Sequence, residues 1–139
     1  MKATAIDHIS IAVRDLDAAR KAYEETLGLE PAFEYVAESE KIRVVRYYLG
    51  EVALELMEDT DGSGDVAGFI EQRGEGVFLL SYQVGDVEAG LAELRAKGQR
   101  TIDRKPREMK GIRYAFIRPP AEMSGVLTEI IEGRLDPES

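Results

Sequence analysis

The chain contains one histidine, His8, and places Glu55 and Glu129 inside stretches with the residue pattern of β-strands. An imidazole combined with carboxylates is a normal ligand set for a divalent metal ion. A carboxylate held near such a metal can also remove or return a proton. These residue types therefore indicate metal-assisted acid–base chemistry, with His8, Glu55 and Glu129 as metal ligands and the two glutamates as catalytic groups.

The same residues also have ordinary structural explanations. Glu55 lies between Leu54 and Leu56, so its carboxylate lies on a largely apolar strand face and needs a partner there. An ion pair with an arginine would meet that need, and Arg46 is the candidate. His8 can equally be a structural histidine that is satisfied by hydrogen bonds.

An internal repeat favours the functional interpretation. The recurring stretches are residues 8–18 with 79–89, and residues 52–58 with 126–132. Each copy must supply half of one fold, so pairs of positions become equivalent in space. Glu55 is equivalent to Glu129, whereas His8 is equivalent to Leu79, so the carboxylate recurs and the imidazole does not.

The elements that position these groups are predicted from hydrophobic period, helix caps and turns. Asp15 and Asp86 are placed as helix N-caps, Gly28 and Gly98 as helix stops, and Gly50 in a short hairpin turn. The predicted strands are 6–13, 31–36, 42–49 and 52–57 in the first copy, and 77–84, 100–103, 112–118 and 126–131 in the second.

The 139 residues are most simply one domain, because each copy would be marginally stable alone. Residues 59–64 are rich in Asp and Gly and predict a linker, while Val66, Phe69 and Ile70 predict one short helix after it. We divide the domain into a first module, 5–58, a linker with the short helix, 59–74, and a second module, 75–133.

Composition excludes several classes of protein. The chain has no cysteine, which excludes disulfides and thiolate metal sites and favours a cytoplasmic location. A formal net charge of −9 argues against nucleic acid as a partner, because phosphate binding needs a basic surface. No apolar run approaches the ~20 residues that cross a bilayer, so no membrane partner is expected.

One stretch departs from the acidic balance. Residues 100–113 contain six lysines and arginines against two acidic residues. Such a cluster could hold the phosphates of a small ligand through charge-assisted hydrogen bonds, with Lys105 and Arg107 as candidate contacts. A solvated loop is the alternative.

Three phrases resemble a known superfamily. They are DHISIAV at 7–13, RGEGV at 73–77 and GVLTEI at 125–130. They are similar to the vicinal oxygen chelate (glyoxalase/bleomycin resistance) superfamily and, within it, to methylmalonyl-CoA epimerases. The resemblance runs from about residue 6 to residue 132. It implies an α+β fold of paired βαβββ modules whose sheet curls around one cavity, and a homodimer.

The resemblance also implies a metal site. In this superfamily a divalent metal is bound by one residue from each first strand and each fourth strand. Carried over by position, these are His8, Glu55, position 79 and Glu129, but position 79 holds Leu79, which cannot bind a metal. The cations implied are Co²⁺, Mn²⁺, Mg²⁺, Ni²⁺ and Zn²⁺, and loss of a histidine favours those that prefer oxygen ligands.

A second departure concerns the third strand. Some epimerases carry an acid–base carboxylate there, and the equivalent position in this chain is Val44. Arg46 and Tyr48 share its strand face and are candidate substrate contacts, together with Leu79.

Three functions stay open. The first is an epimerase-like isomerase or lyase that removes a proton next to a carbonyl of a small acid or acyl thioester, such as a CoA thioester, with metal assistance. The second is a metal-free protein that sequesters a small molecule, with Leu79 in an apolar pocket wall. The third is a metal-free enzyme in which Glu55 and Glu129 form an acid–base pair.

Overall fold

The computed structural model describes residues 1–135, and residues 136–139 lie outside the described part. The strands are β1 (Ala5–Ala12), β2 (Pro31–Ala37), β3 (Ile42–Leu49), β4 (Val52–Asp59), β5 (Gly76–Gln83), β6 (Arg107–Met109), β7 (Ile112–Phe116) and β8 (Leu127–Glu132). The α-helices are α1 (Leu16–Leu27), α2 (Asp65–Arg73) and α3 (Val87–Ala96). A strand, a helix and three strands follow one another twice, which confirms the α+β fold of paired βαβββ modules. No helix of this part is long and apolar enough to cross a membrane.

The chain divides into two compact units. The Glu55 unit is Ile9–Phe78, and the Glu129 unit is Met1–His8 together with the chain from Leu79 onwards. The division passes through β1 and β5, so each unit contains part of both strands.

In the Glu55 unit, the hydrogen-bonded strands follow the order β2, β3, β4, β1. Strands β3 and β4 are antiparallel, and Arg46 lies directly opposite Glu55. Successive strand residues point to opposite faces. Tyr47 and Leu56 therefore lie on the other face, where they pack with Leu16 of α1 in the core. One face of this sheet is apolar and covered by α1, while the opposite face carries Arg46 and Glu55.

Local signals define α1 and the hairpin as predicted. The Asp15 carboxylate accepts a hydrogen bond from the Ala18 amide at 3.1 Å, and Gly28 ends α1 with a φ of 67°. Gly50 joins β3 to β4 with a φ of 65°. Glycine adopts this left-handed backbone without the steric cost that other residues have.

In the Glu129 unit, the strands follow the order β1, β5, β8, β7, β6. Strand β5 is parallel to β8 and places Ser81 opposite Glu129, whereas β7 is antiparallel to both of its neighbours. Val87 and Leu91 of α3 pack against Ile130 of β8 in the core. Ile130 therefore faces α3, and its neighbour Glu129 faces the other way.

The predicted strand at residues 100–103 is wrong, and the strand of this region is β6. The Asp103 amide bonds to the Phe116 carbonyl at 3.1 Å, as in a strand ladder. However, the Phe116 amide donates to the Asp103 carboxylate at 2.9 Å instead of to a backbone carbonyl. An aspartate side chain competes with the ladder in this way, and the strand does not form.

Candidate functional site

The Glu129 unit buries His8 and Glu129 beside each other. His8 lies on β1, Glu129 lies on β8, and each residue is 5% exposed. His8 Nε2 lies 3.5 Å from Glu129 Oε1. This distance is long for a hydrogen bond between an imidazole and a carboxylate. It is close to the separation of roughly 3.0–3.4 Å expected between two coordinating atoms that each lie about 2.1 Å from one metal ion.

Ser81 anchors the Glu129 carboxylate. Its hydroxyl donates a hydrogen bond to Glu129 Oε1 at 2.6 Å, and the serine is fully buried. Because β5 and β8 pair with Ser81 opposite Glu129, the strand register brings the two side chains together. One carboxylate oxygen thus has a fixed position beside His8.

Asp7 holds the other ring nitrogen of His8. The distance from His8 Nδ1 to Asp7 Oδ2 is 2.7 Å, and Asp7 is buried. Gln83 Nε2 donates to Asp7 Oδ1 and to the Gly133 carbonyl, both at 2.7 Å. A carboxylate in this place is a frequent partner of imidazoles that bind metals or act in catalysis.

In the Glu55 unit, Glu55 is held through Oε2. Arg46 Nη1 and the Tyr35 hydroxyl donate to this oxygen at 2.8 and 2.7 Å. The side chains of Arg46 and Glu55 are each 1% exposed. Arg46 Nε also donates to the Tyr48 hydroxyl at 3.2 Å. The ion pair that the sequence left open is formed here, and the guanidinium reduces the cost of burying the carboxylate.

Ser10 shows that the two copies hold their glutamates differently. It is the repeat equivalent of Ser81 and is also fully buried. Its hydroxyl has no hydrogen-bond partner among residues 1–135. In the Glu129 unit a serine bonds to the glutamate, whereas in the Glu55 unit Arg46 and a tyrosine do so.

The predicted three-residue metal site stays a prediction. Among the side chains of residues 1–135, no group of three or more His, Cys, Asp and Glu residues is placed to hold a metal ion. Of His8, Glu55 and Glu129, the Glu129 unit brings together His8 and Glu129. Leu79 is buried on β5 opposite Leu127, so it contributes apolar surface.

The basic stretch is partly neutralised by the protein itself. Arg107 donates two hydrogen bonds to Asp103, each of 2.8 Å, and its guanidinium carbon lies 4.7 Å from the centre of the Phe116 ring. Lys105 is exposed. As contacts for a phosphorylated ligand, both residues stay predictions.

A family model described as the Glyoxalase/Bleomycin resistance protein/Dioxygenase superfamily matches residues 7–116. The chain belongs to this superfamily. The matched range begins at Asp7, beside the histidine, and includes the Arg46–Glu55 pair. The superfamily inferred from the three sequence phrases is confirmed.

Within this superfamily, the chain is similar to methylmalonyl-CoA epimerases. A variant of the Streptomyces coelicolor methylmalonyl-CoA epimerase in complex with 2-nitronate-propionyl-CoA is 34% identical, with a TM-score of 0.88 over 95% of this chain and 96% of that chain. The ethylmalonyl-CoA/methylmalonyl-CoA epimerase of Cereibacter sphaeroides is 27% identical over 90% of this chain and 95% of its own length. An uncharacterised Bacillus subtilis protein, YqjC, is 35% identical over 94% of each chain.

The superfamily pattern indicates the positions of the metal ligands, but it does not indicate the polar residues that hold those side chains in place. The structure adds four polar partners: Asp7, Tyr35, Ser81 and Gln83. For Ser81 a signal existed, because it recurs with Ser10 at equivalent repeat positions. No sequence pattern predicted the contact between Asp7 and His8, because neighbouring residues on a strand normally point to opposite faces.

Proposed function

We propose that this chain is an epimerase-type isomerase that removes and returns the proton next to the carbonyl of a small 2-substituted acyl thioester. The observation that carries the proposal is the buried pair of His8 and Glu129, with Ser81 holding the carboxylate. The similarity to methylmalonyl-CoA epimerases over nearly the whole chain supports a CoA thioester as substrate. Methylmalonyl-CoA is the first compound to test.

Proton transfer is assigned to the two glutamates. Glu129 is the primary base, since Ser81 keeps one of its oxygens in place and so reduces the reorganisation needed when the proton moves. An epimerisation returns the proton from the opposite face of the carbon, which requires a second acid–base group. Glu55 is the candidate for that role, with its orientation set by Arg46 and Tyr35.

Substrate contacts are assigned by the chemistry of the side chains. Arg46 and Tyr48 carry donors suited to a carbonyl or carboxylate, and Leu79 offers apolar surface to a short acyl chain. The CoA phosphates would bind the basic stretch. Lys105 is exposed there, whereas Arg107 already donates two hydrogen bonds to an aspartate. Lys105 is therefore the first phosphate contact to test, and Arg107 the second.

A divalent cation fits part of this arrangement. The 3.5 Å spacing and the ligand types of His8 and Glu129 suit Co²⁺, Mn²⁺, Mg²⁺, Ni²⁺ or Zn²⁺. The third ligand, Glu55, rests on the resemblance to the superfamily. Such a cation, when bound, stabilises the negative charge that develops as an enolate forms. Asp7 and Ser81 would hold the imidazole and the carboxylate in position.

Deuterium incorporation from D₂O into C2 of methylmalonyl-CoA tests the proposal. The wild type is expected to exchange this proton, and Glu129→Gln is expected to lower the rate by about 10²-fold or more, because the base is lost. Glu122→Gln is the matched control in the same unit, since Glu122 is exposed and lies outside the basic stretch. The assay is run with each cation in turn and with a chelator. Exchange that persists in chelator assigns the metal-free acid–base enzyme.

The second candidate is a metal-free protein that binds a small molecule. The observation that favours it is the apolar side chain of Leu79 at the repeat position of His8, together with the internal charge balance of Arg46 and Glu55. In this case acyl thioesters or other small compounds bind to the wild type, but no proton exchanges and no cation binds. That result would overturn the proposed isomerase.

A further inference from the structure

We propose that Asp7 is a positioning residue that fixes the tautomer of His8, so that Nε2 presents its lone pair towards Glu129. This inference rests on the proposed function, in which His8 acts through Nε2. Its first support is the distance of 2.7 Å between Asp7 Oδ2 and His8 Nδ1. A carboxylate oxygen accepts hydrogen bonds and has no proton to donate when ionised, so the ring proton belongs on Nδ1.

The second support is that Asp7 is itself held rigidly. Gln83 Nε2 donates to Asp7 Oδ1, the oxygen that does not face the imidazole, and also to the Gly133 carbonyl. A buried carboxylate is stable only when its oxygens have partners. Gln83 and His8 supply one each. The orientation of the carboxylate is therefore set from both sides, and the ring of His8 is held by a fixed acceptor.

The third support comes from the other side of the ring. If Nε2 carried the proton, an N–H group would face the Glu129 carboxylate, and such a pair is expected to close to about 2.7–2.9 Å. The distance between Nε2 and Glu129 Oε1 is 3.5 Å, and that oxygen accepts a hydrogen bond from the Ser81 hydroxyl. The geometry on both sides of the imidazole thus indicates the same tautomer.

The consequence is a directed lone pair in a buried place. Nε2 of His8 can bind a cation or accept a hydrogen bond from a substrate group without first losing a proton. If His8 were only structural, each ring nitrogen would need a hydrogen-bond partner, and either tautomer would be acceptable. The proposed role of Asp7 requires one tautomer and predicts that the protein loses it when Asp7 changes.

The test uses the fact that His8 is the only histidine of the chain, so the imidazole nitrogen signals are unambiguous. Metal-free protein with ¹⁵N-labelled histidine is measured by long-range ¹H–¹⁵N NMR about two pH units above the ordinary histidine pKa of ~6.5. The wild type is expected to show a protonated Nδ1 and an unprotonated Nε2. An Nε2–H signal in the wild type overturns the inference without any variant.

Asp7→Asn is the decisive variant. Gln83 donates towards one oxygen of residue 7, so the asparagine oxygen is expected to face Gln83 and its amide NH₂ to face His8 Nδ1. The proton then moves to Nε2, and the NMR signature reverses. Asp103→Asn removes another bonded carboxylate of the Glu129 unit and is expected to keep the wild-type signature. An unchanged tautomer in Asp7→Asn overturns the proposal.

A cation titration adds a readout that separates this inference from the proposed function. If the wild type binds Co²⁺, Asp7→Asn is expected to weaken binding by about 10- to 100-fold, the usual effect of losing such a partner. Equal Co²⁺ affinity in both proteins contradicts the positioning role. If the wild type exchanges no substrate proton and binds no cation, the proposed function fails, while the tautomer measurement still decides the role of Asp7.

Discussion

Ser10 and Ser81 occupy equivalent positions of the repeat, and both are fully buried, yet only Ser81 has an observed hydrogen bond to a glutamate. Ser10 Oγ has no partner within residues 1–135. A buried hydroxyl without a hydrogen bond lowers stability, whereas one bonded to a carboxylate contributes to it. The same residue type at the same strand position therefore has opposite energetic consequences in the two units.

We expect Ser81→Ala to lower the free energy of unfolding by about 1–3 kcal/mol, because it leaves a buried carboxylate oxygen with one hydrogen bond fewer. Ser10→Ala is expected to be neutral or to stabilise by up to about 1 kcal/mol, because no hydrogen bond is lost. Urea denaturation of both variants measures the difference. Equal destabilisation by the two substitutions would contradict this account.

At the scale of elements, α1 is joined to β3 by a polar contact at the edge of an apolar interface. The Tyr47 hydroxyl donates to Glu24 Oε2 at 2.7 Å, and Arg20 Nε donates to the same oxygen at 2.9 Å. The Tyr47 hydrogen bond, followed by that of Arg20, holds the pKa of Glu24 below its ordinary value. Burial, followed by the bond to Glu24, raises the pKa of Tyr47.

The lowered pKa of Glu24 predicts how stability depends on pH. Its contribution is present above the unfolded pKa of about 4.3 and is lost as pH falls through the lower folded value. Tyr47→Phe removes the main cause of the lowered pKa. We therefore expect the free energy of unfolding of this variant to fall less steeply than that of the wild type between about pH 5 and pH 3. Urea midpoints across this range measure the effect, with Tyr23→Phe as the control in the same core. A profile as steep as that of the wild type would contradict the prediction.

The prediction of strands and helices was correct where capping residues mark the helix ends, and it was wrong where a side chain replaced a backbone hydrogen bond between strands. Asp15, Gly28 and Asp86 mark helix ends in the sequence and mark them in the structure. The strand expected at residues 100–103 is absent because the Asp103 carboxylate takes the Phe116 amide. That bond joins residues distant in sequence, so no local pattern indicates it.

At the scale of the whole molecule, the repeat gives two similar modules with different sets of candidate functional residues. Each copy supplies one glutamate on its fourth strand, and the first copy alone supplies a histidine. The Glu55 unit also exposes apolar side chains that no described residue covers. They are Leu27, Val36, Leu49 and Val77, between 49% and 60% exposed. Each of them is a position at which contact with a second copy of the chain can be tested.

We propose that the protein is a homodimer, as its resemblance to the superfamily implies. Size-exclusion chromatography with light scattering is expected to give twice the monomer mass. Val77→Lys places a charge at one of the exposed apolar positions and is expected to shift the distribution towards monomer. Glu51→Lys, which also adds positive charge at an exposed position, is the control. A monomer mass at every protein concentration would contradict the proposal.

The amino-acid sequence by itself determined the superfamily, because three of its phrases resemble that superfamily. It also determined the order of the elements and the equivalence of Glu55 with Glu129, because these depend on periodicity, caps and the repeat. The tertiary structure decided which partners those residues have. It bonds Glu55 to Arg46 and Tyr35, places Glu129 beside His8 and Ser81, and puts Asp7 on the far nitrogen of the imidazole. Hydrogen bonds between strands depend on register and side-chain direction, and these are set only when the sheet is assembled.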